Sequence, residues 1–317
     1  MAHHTVLDAA QLAAALARFG LPAPSRVEPE PRGEAHTGYH LWAGDQRWFL
    51  RVNEGKAEAD LRFEAEVQQF LHAAHFPVPA LRAAEDGRPF AEVAGKPAML
   101  FAYSAGEPLA PADVDADHCR RLGEQLGRLH ELGAGFGPGR PNPRGPAWVG
   151  ARLEAAADSG AGGAEAVAAL PLLRDELIQA AALPGAPRGL IHGALLVDDV
   201  LWIGDRVGAL LDWESSCVDP FAYDLGVAVN AWCYRDAYQR ERARALVSGY
   251  RSRRKVEPET WAGLYRWSRF AALRFAVGRL HEDDPGRAGR KDWRRYRDRL
   301  RALGDLGEDG YRDLVGG

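Results

Sequence analysis

The stretch GLIHGALLVDDVLWIGDRVGALLDWE, residues 189–214, carries the densest set of structural signals in the chain. A buried-looking strand end leads into a polar loop at 192–199. Two strands follow, at 200–203 and 206–211, and they flank the two-residue turn Gly204-Asp205. Glycine followed by a polar residue favours a tight β-hairpin and fixes its register.

This register brings two carboxylates to the open end of the hairpin. Ile203 faces Arg206, so Asp199 faces Leu210, and Asp212 becomes a diagonal same-face neighbour of Asp199, with Cβ atoms roughly 7–8 Å apart. Mg²⁺ takes one or two protein carboxylates plus water and phosphate oxygens, so the pair suits it. A solvated hairpin end with turn-favouring acids explains the same spacing, which leaves both interpretations open.

The first hundred residues predict a small α/β lobe. Asp8 is placed to cap a short helix, because apolar residues follow it at helical spacing. Strands are predicted at 39–42, 48–52 and 97–103, and one amphipathic helix is predicted at 57–74. Beyond it, 119–132 is the clearest helix, and the Ala- and Gly-rich segment 155–169 predicts a loosely packed helical excursion. We expect the two lobes to meet near residues 103–111.

The composition is that of a globular protein. Of the 317 residues, 46% are hydrophobic and 26% charged, which excludes disordered and collagen-like classes. The net charge of −4 gives no whole-molecule attraction to nucleic acid or to a membrane, and we expect neither as a partner. Cys119, Cys217 and Cys233 lack metal-ligand spacing, so buried reduced thiols in a cytoplasmic protein are expected. No apolar run reaches the ~20 residues of a membrane span.

Beyond the hairpin, a succession of short motifs carries a family resemblance. The motifs are His192-Gly193-Ala194, Asp199, Leu211-Asp212-Trp213-Glu214, Asp219-Pro220 and Tyr223-Asp224-Leu225. Together they resemble the catalytic segment of the aminoglycoside phosphotransferase superfamily. Within it, 217–225 followed by Asn230-Ala231-Trp232-Cys233 is most similar to the homoserine kinases. The resemblance runs from about residue 6 to 303 and is loose outside 189–233.

That resemblance implies an α+β, bilobal protein-kinase-like fold. A β-rich N-lobe at 1–103 would bind nucleotide, and a mostly helical C-lobe at 104–317 would hold the catalytic loop, the metal site and the acceptor site. The implied activity is Mg-ATP-dependent transfer of the γ-phosphoryl group to the hydroxyl of a small molecule. Asp212 and Asp199 would bind Mg²⁺, and Glu64 would steady the basic residue of the phosphate-binding strand.

At three positions the chain departs from the family pattern. Ala194 stands where the family has the catalytic Asp, and a positioned base contributes about 10²–10⁴-fold to the rate. Asp199 replaces the metal-binding Asn, which adds a negative charge beside the phosphates. Arg51 occupies the usual lysine position, and Lys56, the nearest lysine, falls outside the strand. One introduced substitution would explain Ala194 but not Asp199, which favours natural divergence.

The expected nucleotide contacts are weaker signals. The segment 33–38 has only two glycines where the family covers the phosphates, and such a pair is more often an ordinary turn. Met99, Phe101 and Tyr103 fall where a kinase hinge would contact adenine, although packing alone also predicts an apolar strand there.

Two neighbours of Ala194 are candidates for the missing base. Asp198 follows four residues later, and a solvated loop acid is the simpler interpretation of it. His192 is expected to serve in structural hydrogen bonds of the loop. Neither restores the expected chemistry, although Asp198 stays the substitute candidate.

The arginine-rich segments at 251–255 and 290–301 predict solvated helix faces rather than a nucleic-acid surface. A basic C-lobe would repel polycationic aminoglycosides, which favours a small neutral or zwitterionic hydroxyl compound as acceptor.

Three functions fit these residues. The first is a small-molecule kinase impaired at Ala194. The second is a natural pseudokinase that binds nucleotide and acts on a protein partner as a regulatory or scaffold module. The third is altered chemistry on the same fold, such as nucleotidyl transfer, since a fold does not fix a function.

Overall fold

The computed structural model of the chain describes residues 5–31, 36–280 and 292–316. The chain divides into two compact units. Unit 1 comprises Met1–Glu107 and Leu201–Glu214, and unit 2 comprises Pro108–Val200 and Ser215–Gly317. The expected lobe boundary after residue 103 lies shortly before Glu107, whereas Leu201–Glu214, expected in the second lobe, packs within unit 1.

The elements follow one another in two groups along the chain. The first group is α1 (Ala9–Ala17), β1 (Arg26–Pro29), β2 (Thr37–Ala43), β3 (Gln46–Val52), α2 (Glu58–Ala73), β4 (Leu81–Arg82), β5 (Ala91–Val93), β6 (Lys96–Ala102) and β7 (Glu107–Pro108). The second group is α3 (Ala116–Gly133), α4 (Pro146–Ser159), α5 (Gly163–Ala180), β8 (Arg188–Ile191), β9 (Val200–Ile203), β10 (Arg206–Leu210), β11 (Cys217–Pro220), α6 (Phe221–Trp232), α7 (Arg240–Arg251), α8 (Pro258–Leu280) and α9 (Arg294–Val315).

An antiparallel sheet forms the centre of unit 1. Its strand order is β1-β2-β3-β6-β4, and β5 pairs with β6 beside this path. Successive side chains alternate between its two faces. One face packs on α1, with Leu16, Leu41 and Leu50 fully buried, and the other packs Met99 and Phe101 against α2. The face toward α2 is therefore the one that carries Arg51, which lies opposite Met99 in the register.

Local signals in the sequence explain how these elements begin and turn. The Asp8 side chain accepts from the Gln11 N–H at 2.8 Å, and the Gln11 side chain accepts from the Asp8 N–H at 2.9 Å, a capping box at the start of α1. The predicted tight hairpin is present, with Gly204 at φ +55° between β9 and β10. Capping and turn residues thus determine where these helices and strands begin and end, which the spacing of apolar residues alone does not.

Helices make up most of unit 2. The short ribbon of β8 and β11 pairs Cys217 with Ile191 and leads directly into α6. Helix α6 packs against α8, where a Cβ atom at Gly226 would lie 2.8 Å from the Cα atom of Ser268. Because α6 begins directly after β11, the pairing of β11 with β8 fixes the first turn of α6 close to the polar segment that follows Ile191.

The structure confirms the α+β prediction, with an antiparallel sheet in unit 1 and a helical unit 2. The segment predicted as one helical excursion at 155–169 is part of two helices, because Gly160 and Gly162 have left-handed backbones (φ +67° and +77°) between α4 and α5. Among the described residues, no helix is long and apolar enough to cross a membrane.

The prediction of a solvated arginine face at 290–301 is wrong for part of its described residues. Arg297 and Arg299 in α9 are buried, and the Arg299 Nε donates to the Asn230 carbonyl oxygen at 2.7 Å. Trp293 and Tyr296 are buried beside them. The reason is that α9 packs against α7 and α8, so carbonyl oxygens and aromatic rings replace water around these guanidinium groups.

Candidate active site

A buried ion-pair cluster lies between β3 and α2 in unit 1. The Arg51 Nη2 lies 2.8 Å from Glu64 Oε1, and the Lys56 Nζ lies 3.0 Å from Glu64 Oε2. Glu64 is 1% exposed, on the helix face that also buries Leu61. Arg51 and Glu64 thus form the pair expected from the sequence, and Lys56 joins it from the loop that follows β3.

Burial and opposite charge act against each other in this cluster. Burial alone would raise the pKa of the Glu64 carboxyl, but the charges of Arg51 and Lys56 outweigh it and lower the pKa. Burial alone would lower the pKa of Arg51, yet Glu64 and then Glu214 outweigh it and raise the pKa. The Glu64 carboxyl and the Arg51 guanidinium are therefore both ionised near neutral pH.

Glu214 extends the cluster from the turn after β10. Its Oε2 lies 3.1 Å from the Lys56 Nζ and 3.1 Å from the His36 Nε2. The His36 Nδ1 accepts the backbone N–H of Glu54 at 3.1 Å, which assigns the ring proton to Nε2 and makes His36 the donor to Glu214. Residues 33–35 of the expected phosphate-covering segment lie outside the described residues.

Asp212 is held in an unusual backbone conformation beside these charges. Its φ of +58° is rare for a residue other than glycine and marks strain of the kind that gathers at functional sites. Burial, followed by the negative charges of Glu214 and Glu64, raises the pKa of its carboxyl to about 7, although Arg51 and Lys56 oppose the rise. Among the described residues, the positive charges of Arg51 and Lys56 are too weak to keep the pKa of the Asp212 carboxyl at its ordinary value.

The carboxylates of unit 1 fit a divalent cation. Asp212, Glu64 and Glu214 bring three carboxyl groups beside the cations of Arg51 and Lys56, and the charges of Glu214 and Glu64 raise the pKa of Asp212. Hard oxygen ligands from carboxylates are those that Mg²⁺ prefers. Among the described residues, no group of three or more His, Cys, Asp or Glu side chains is arranged to hold a metal alone. Metal binding by these carboxylates therefore stays a prediction, in which substrate phosphates would supply the remaining ligands.

The loop after β8 in unit 2 is braced by Asp224. The buried Asp224 carboxylate accepts the backbone N–H groups of His192 at 2.9 Å and of Gly193 at 2.8 Å. Its Oδ2 also lies 3.1 Å from the His130 Nε2, and the His130 Nδ1 lies 2.8 Å from the Tyr250 hydroxyl. Burial would raise the pKa of Asp224, but its bond to His130 and the neighbouring imidazoles lower it, so the brace is an ionised carboxylate.

Gly193 and Ala194 occupy the tightest part of this loop. Gly193 has φ +80°, and a Cβ atom there would lie 2.5 Å from the Ser215 carbonyl oxygen, so only glycine fits. Ala194 is 8% exposed, and its methyl group carries no donor or acceptor. The backbone of the loop is thus held in place while its central side chain offers no proton acceptor.

The two acids later in the loop differ in their surroundings. Asp199 ends a 3₁₀ turn, and its Oδ2 accepts the Leu196 N–H at 3.0 Å. Asp198 is exposed. Asp199 and Asp212 belong to different units, so their meeting at one metal stays a prediction.

The residues expected to contact adenine divide into buried and exposed. Met99 and Phe101 are 0% and 6% exposed and pack with Leu61 in the core of unit 1. Tyr103 is 36% exposed, and the Arg47 guanidinium lies 3.8 Å from its ring centroid. Packing accounts for Met99 and Phe101, whereas Tyr103 keeps a ring edge accessible to a ligand.

Sequence reasoning assigned no role to Lys56, Glu214 or Asp224. Lys56 and Glu214 are 158 residues apart in the chain, and no periodic pattern links them. Glu214 and Asp224 were visible as parts of motifs, and their acidic side chains within those motifs were the available signal. Their partners could be identified only from the fold.

Comparisons with known proteins show the family of the chain. The sequence matches the APH family, described as a phosphotransferase enzyme family, over residues 26–256. It is 32% identical to a homoserine kinase of Methylobacterium nodulans over 286 residues, covering 88% of each chain. It is also 32% identical to a homoserine kinase of Rhizobium johnstonii over 260 residues, covering 79% of this chain and 78% of the relative.

Solved structures with the same fold are more distant in sequence. An amicoumacin kinase in complex with AMP-PNP and Ca²⁺ superimposes with a TM-score of 0.68 at 14% identity, covering 90% of this chain and 89% of the other. A microcompartment-associated aminopropanol kinase gives 0.64 at 19% identity, covering 97% and 99%. At these identities the likeness establishes the kinase-like fold and nothing finer.

Proposed function

The chain belongs to the APH phosphotransferase enzyme family, and on that premise we propose that it binds Mg-ATP and is built to transfer the γ-phosphoryl group to the hydroxyl of a small molecule of the homoserine type. The observation that carries this proposal is the cluster of Arg51, Lys56, Glu64, Glu214 and Asp212 in unit 1. The homoserine kinase relatives support the choice of acceptor. Transfer is slow in this chain because Ala194 supplies no base.

Arg51 and Lys56 are the cations for the nucleotide phosphates in this proposal. Glu64 holds both of them, and both are largely buried, so they are positioned before a ligand arrives. The guanidinium fork and the ammonium differ in geometry, and together they offer donors in two directions. The strand face that carries Arg51 continues through Met99 and Phe101 toward Tyr103, which is the adenine end of the proposed site.

Asp212 and Asp199 are the proposed Mg²⁺ ligands, and Glu214 is a further carboxylate beside Asp212. A bound Mg²⁺ ion supplies positive charge that neutralises the phosphates during transfer. The strained backbone and the raised pKa of Asp212 support this role, because a bound cation would stabilise the ionised form of its carboxyl.

Ala194 limits the chemical step. The base of the family accepts or orients the proton of the attacking hydroxyl, and a methyl group can do neither. Asp198 is exposed, and the His192 backbone is held by Asp224. Asp198 is the weaker, substitute candidate, and water is left to take the proton in most turnovers.

A natural pseudokinase is the second candidate. It is favoured by one specific observation: the loop keeps its brace at Asp224 and its close fit at Gly193 although its central residue lacks a functional group. In that case the nucleotide would serve a regulatory or scaffold role toward a protein partner. The buried, free thiols of Cys119, Cys217 and Cys233 suit a reducing compartment such as the cytoplasm for either function.

A thermal-shift titration with ATP, with and without Mg²⁺, tests nucleotide binding. A ligand at about 100 times its Kd stabilises the folded state by about 2.7 kcal/mol, which raises the melting temperature by several degrees. We expect a Mg²⁺-dependent rise for the wild-type chain and for the control Asp205→Asn, in the exposed hairpin turn. Asp212→Asn should lose most of the Mg²⁺-dependent part. Equal shifts in all three proteins would refute the proposed metal site, and no shift in any would refute nucleotide binding.

A further inference from the structure

Arg274 is a buried guanidinium for which the described residues of unit 2 provide no counter-ion. It lies in α8, is 4% exposed, and its Nε is shielded from solvent without a hydrogen-bond partner. Among the described residues, none of the ion pairs or hydrogen bonds involves Arg274. A buried, unpaired cation is costly, so its retention needs an explanation.

Two other arginines of unit 2, the partly buried Arg269 and the buried Arg299, show what ordinary structural roles look like. Arg269, one turn earlier in α8, forms an ion pair with Glu176. Arg299 donates to the carbonyl oxygens of Asn230 and Arg295. Arg274 has neither kind of partner in the described part of the chain, which sets it apart from both.

The surroundings of Arg274 are positive and aromatic. Its Cζ lies 4.0 Å from the Phe275 ring centroid, and that ring stacks on Tyr296 at 4.8 Å. The Arg279 Cζ lies 4.6 Å from the same Tyr296 ring. Burial first, and then repulsion by Arg144 and Arg279, lower the pKa of Arg274 to about 10, whereas the nearby Tyr223 acts in the opposite direction. A bound anion would compensate the positive charge of Arg274.

A chain of contacts within unit 2 links this positive cluster to the catalytic loop. Gly193 fits against the Ser215 carbonyl, and the Ser215 hydroxyl oxygen accepts from Arg144 Nη1 at 2.9 Å. Helix α8, which carries Arg274, packs against α6, and Asp224 of α6 accepts the backbone N–H groups of His192 and Gly193. Arg274 therefore lies on a helix packed against the one that holds the loop of Gly193 and Ala194, where an acceptor hydroxyl would have to be presented.

We propose that Arg274, buried in α8 with its guanidinium over the Phe275 ring, binds the carboxylate of the acceptor molecule. The inference rests on the proposed function and deepens it, since it makes the acceptor a hydroxy acid or hydroxy amino acid. A guanidinium matches a carboxylate with two parallel hydrogen bonds. The Phe275 ring and the burial of Arg274 shield the guanidinium from water, which strengthens its pairing with a carboxylate.

Binding of matched acceptor pairs tests the inference. Calorimetry on the full chain, with and without Mg-ADP, compares L-homoserine with 3-amino-1-propanol, which lacks only the carboxylate. L-serine with 2-aminoethanol and L-threonine with 1-amino-2-propanol are further pairs. We expect at least one carboxylated member to bind the wild-type chain at least about 10-fold more tightly than its counterpart.

Three variants separate binding from folding. Arg274→Met should weaken the carboxylated ligand by about 10–100-fold and leave its counterpart unchanged, while the melting temperature stays equal or rises because a buried unpaired charge is removed. Arg274→Lys, which keeps the charge but loses the fork, should weaken it by about 10-fold. Arg269→Met is the matched control on the same helix and should not affect the preference for the carboxylate.

Two results would overturn the inference. One is a wild-type chain that prefers no carboxylated compound over its counterpart. The other is undiminished binding by Arg274→Met or, should that variant fail to fold, by Arg274→Lys. If Mg-ATP does not raise the melting temperature of the wild-type chain, the proposed function is refuted separately. The calorimetric comparison of acceptor pairs without nucleotide would still test the role of Arg274.

Discussion

At the residue scale, Glu64 is the group on which the cation cluster of unit 1 depends. It is 1% exposed and contacts both Arg51 and Lys56. Glu64→Gln would leave two largely buried cations without their common partner. We expect the free energy of unfolding to fall by about 3 kcal/mol, since breaking a buried ion pair leaves an uncompensated charge.

Urea unfolding and the Mg-ATP thermal shift together measure this effect. Glu66→Gln, two residues along the same helix and exposed, is the matched control and should change the unfolding free energy by less than about 0.5 kcal/mol. A Glu64→Gln variant as stable as that control, with an unaltered nucleotide shift, would contradict the role assigned to Glu64.

Glu54 makes the stability of the folded protein depend on pH in the acidic range. Burial alone would raise the pKa of its carboxyl, but bonds from Lys96, Thr5 and Thr37 outweigh it and lower the pKa to about 2. The unfolded chain has an ordinary glutamate and takes up the proton first, so this stabilisation is complete above about pH 5 and is lost as the pH falls toward 2.

The stability of Glu54→Gln across pH measures that contribution. We expect a loss of about 2 kcal/mol at pH 7 and a flatter decline between pH 5 and pH 2 than in the wild-type chain. Glu58→Gln, at an exposed pair with Arg62, is the control. Parallel acid profiles for the wild-type and Glu54→Gln chains would show that Glu54 is not the group responsible.

The contacts within the cluster could be predicted where the family resemblance named both partners and could not where only the fold brings them together. The Arg51–Glu64 ion pair was expected from that resemblance and is present, whereas its catalytic role stays a prediction. The part played by Lys56 was not, since it lies in an aperiodic loop and its partner Glu214 is distant in sequence. Loop conformation and long-range contacts are not encoded in local patterns.

At the element scale, the crossing of α3 and α7 depends on glycine. A Cβ atom at Gly249 would lie 1.9 Å from the Arg120 carbonyl oxygen, and one at Gly123 would lie 2.0 Å from the Leu246 carbonyl oxygen. The two backbones are therefore in direct contact, and any side chain would force them apart.

Gly249→Ala should therefore destabilise the protein by about 3 kcal/mol, measured by denaturant unfolding. The comparison is Gly310→Ala in α9, where the added methyl meets only ordinary contacts and removes chain entropy. That variant should be stabilised by about 0.5–1 kcal/mol. Equal effects of the two substitutions would contradict the close approach of α3 and α7.

Elements with strong periodicity were predictable, and short ones were not. The helix expected at 57–74 is α2 (Glu58–Ala73), and the strands expected at 48–52 and 97–103 are β3 and β6 with small shifts at their ends. Strand β1 has a mostly exposed pattern, and β11 is four residues long and stabilised by β8 from elsewhere in the chain. Pairing partners create such strands, so local sequence does not reveal them.

At the scale of the whole molecule, the two units carry different parts of the proposed machinery. Unit 1 holds the cations, Asp212 and Glu214, and unit 2 holds the Ala194 loop and Arg274. The family match spans residues 26–256, so Arg274 lies beyond the matched segment.

Turnover by Ala194→Asp measures the central claim most directly. ADP release from Mg-ATP is followed with L-homoserine and a panel of small hydroxyl compounds, for the wild-type chain and for the variant. The account predicts ADP without pyrophosphate and a rate at least about 10²-fold higher in the variant, because a positioned base is restored. A variant that binds Mg-ATP yet releases ADP no faster than the wild-type chain would contradict the account and favour a pseudokinase.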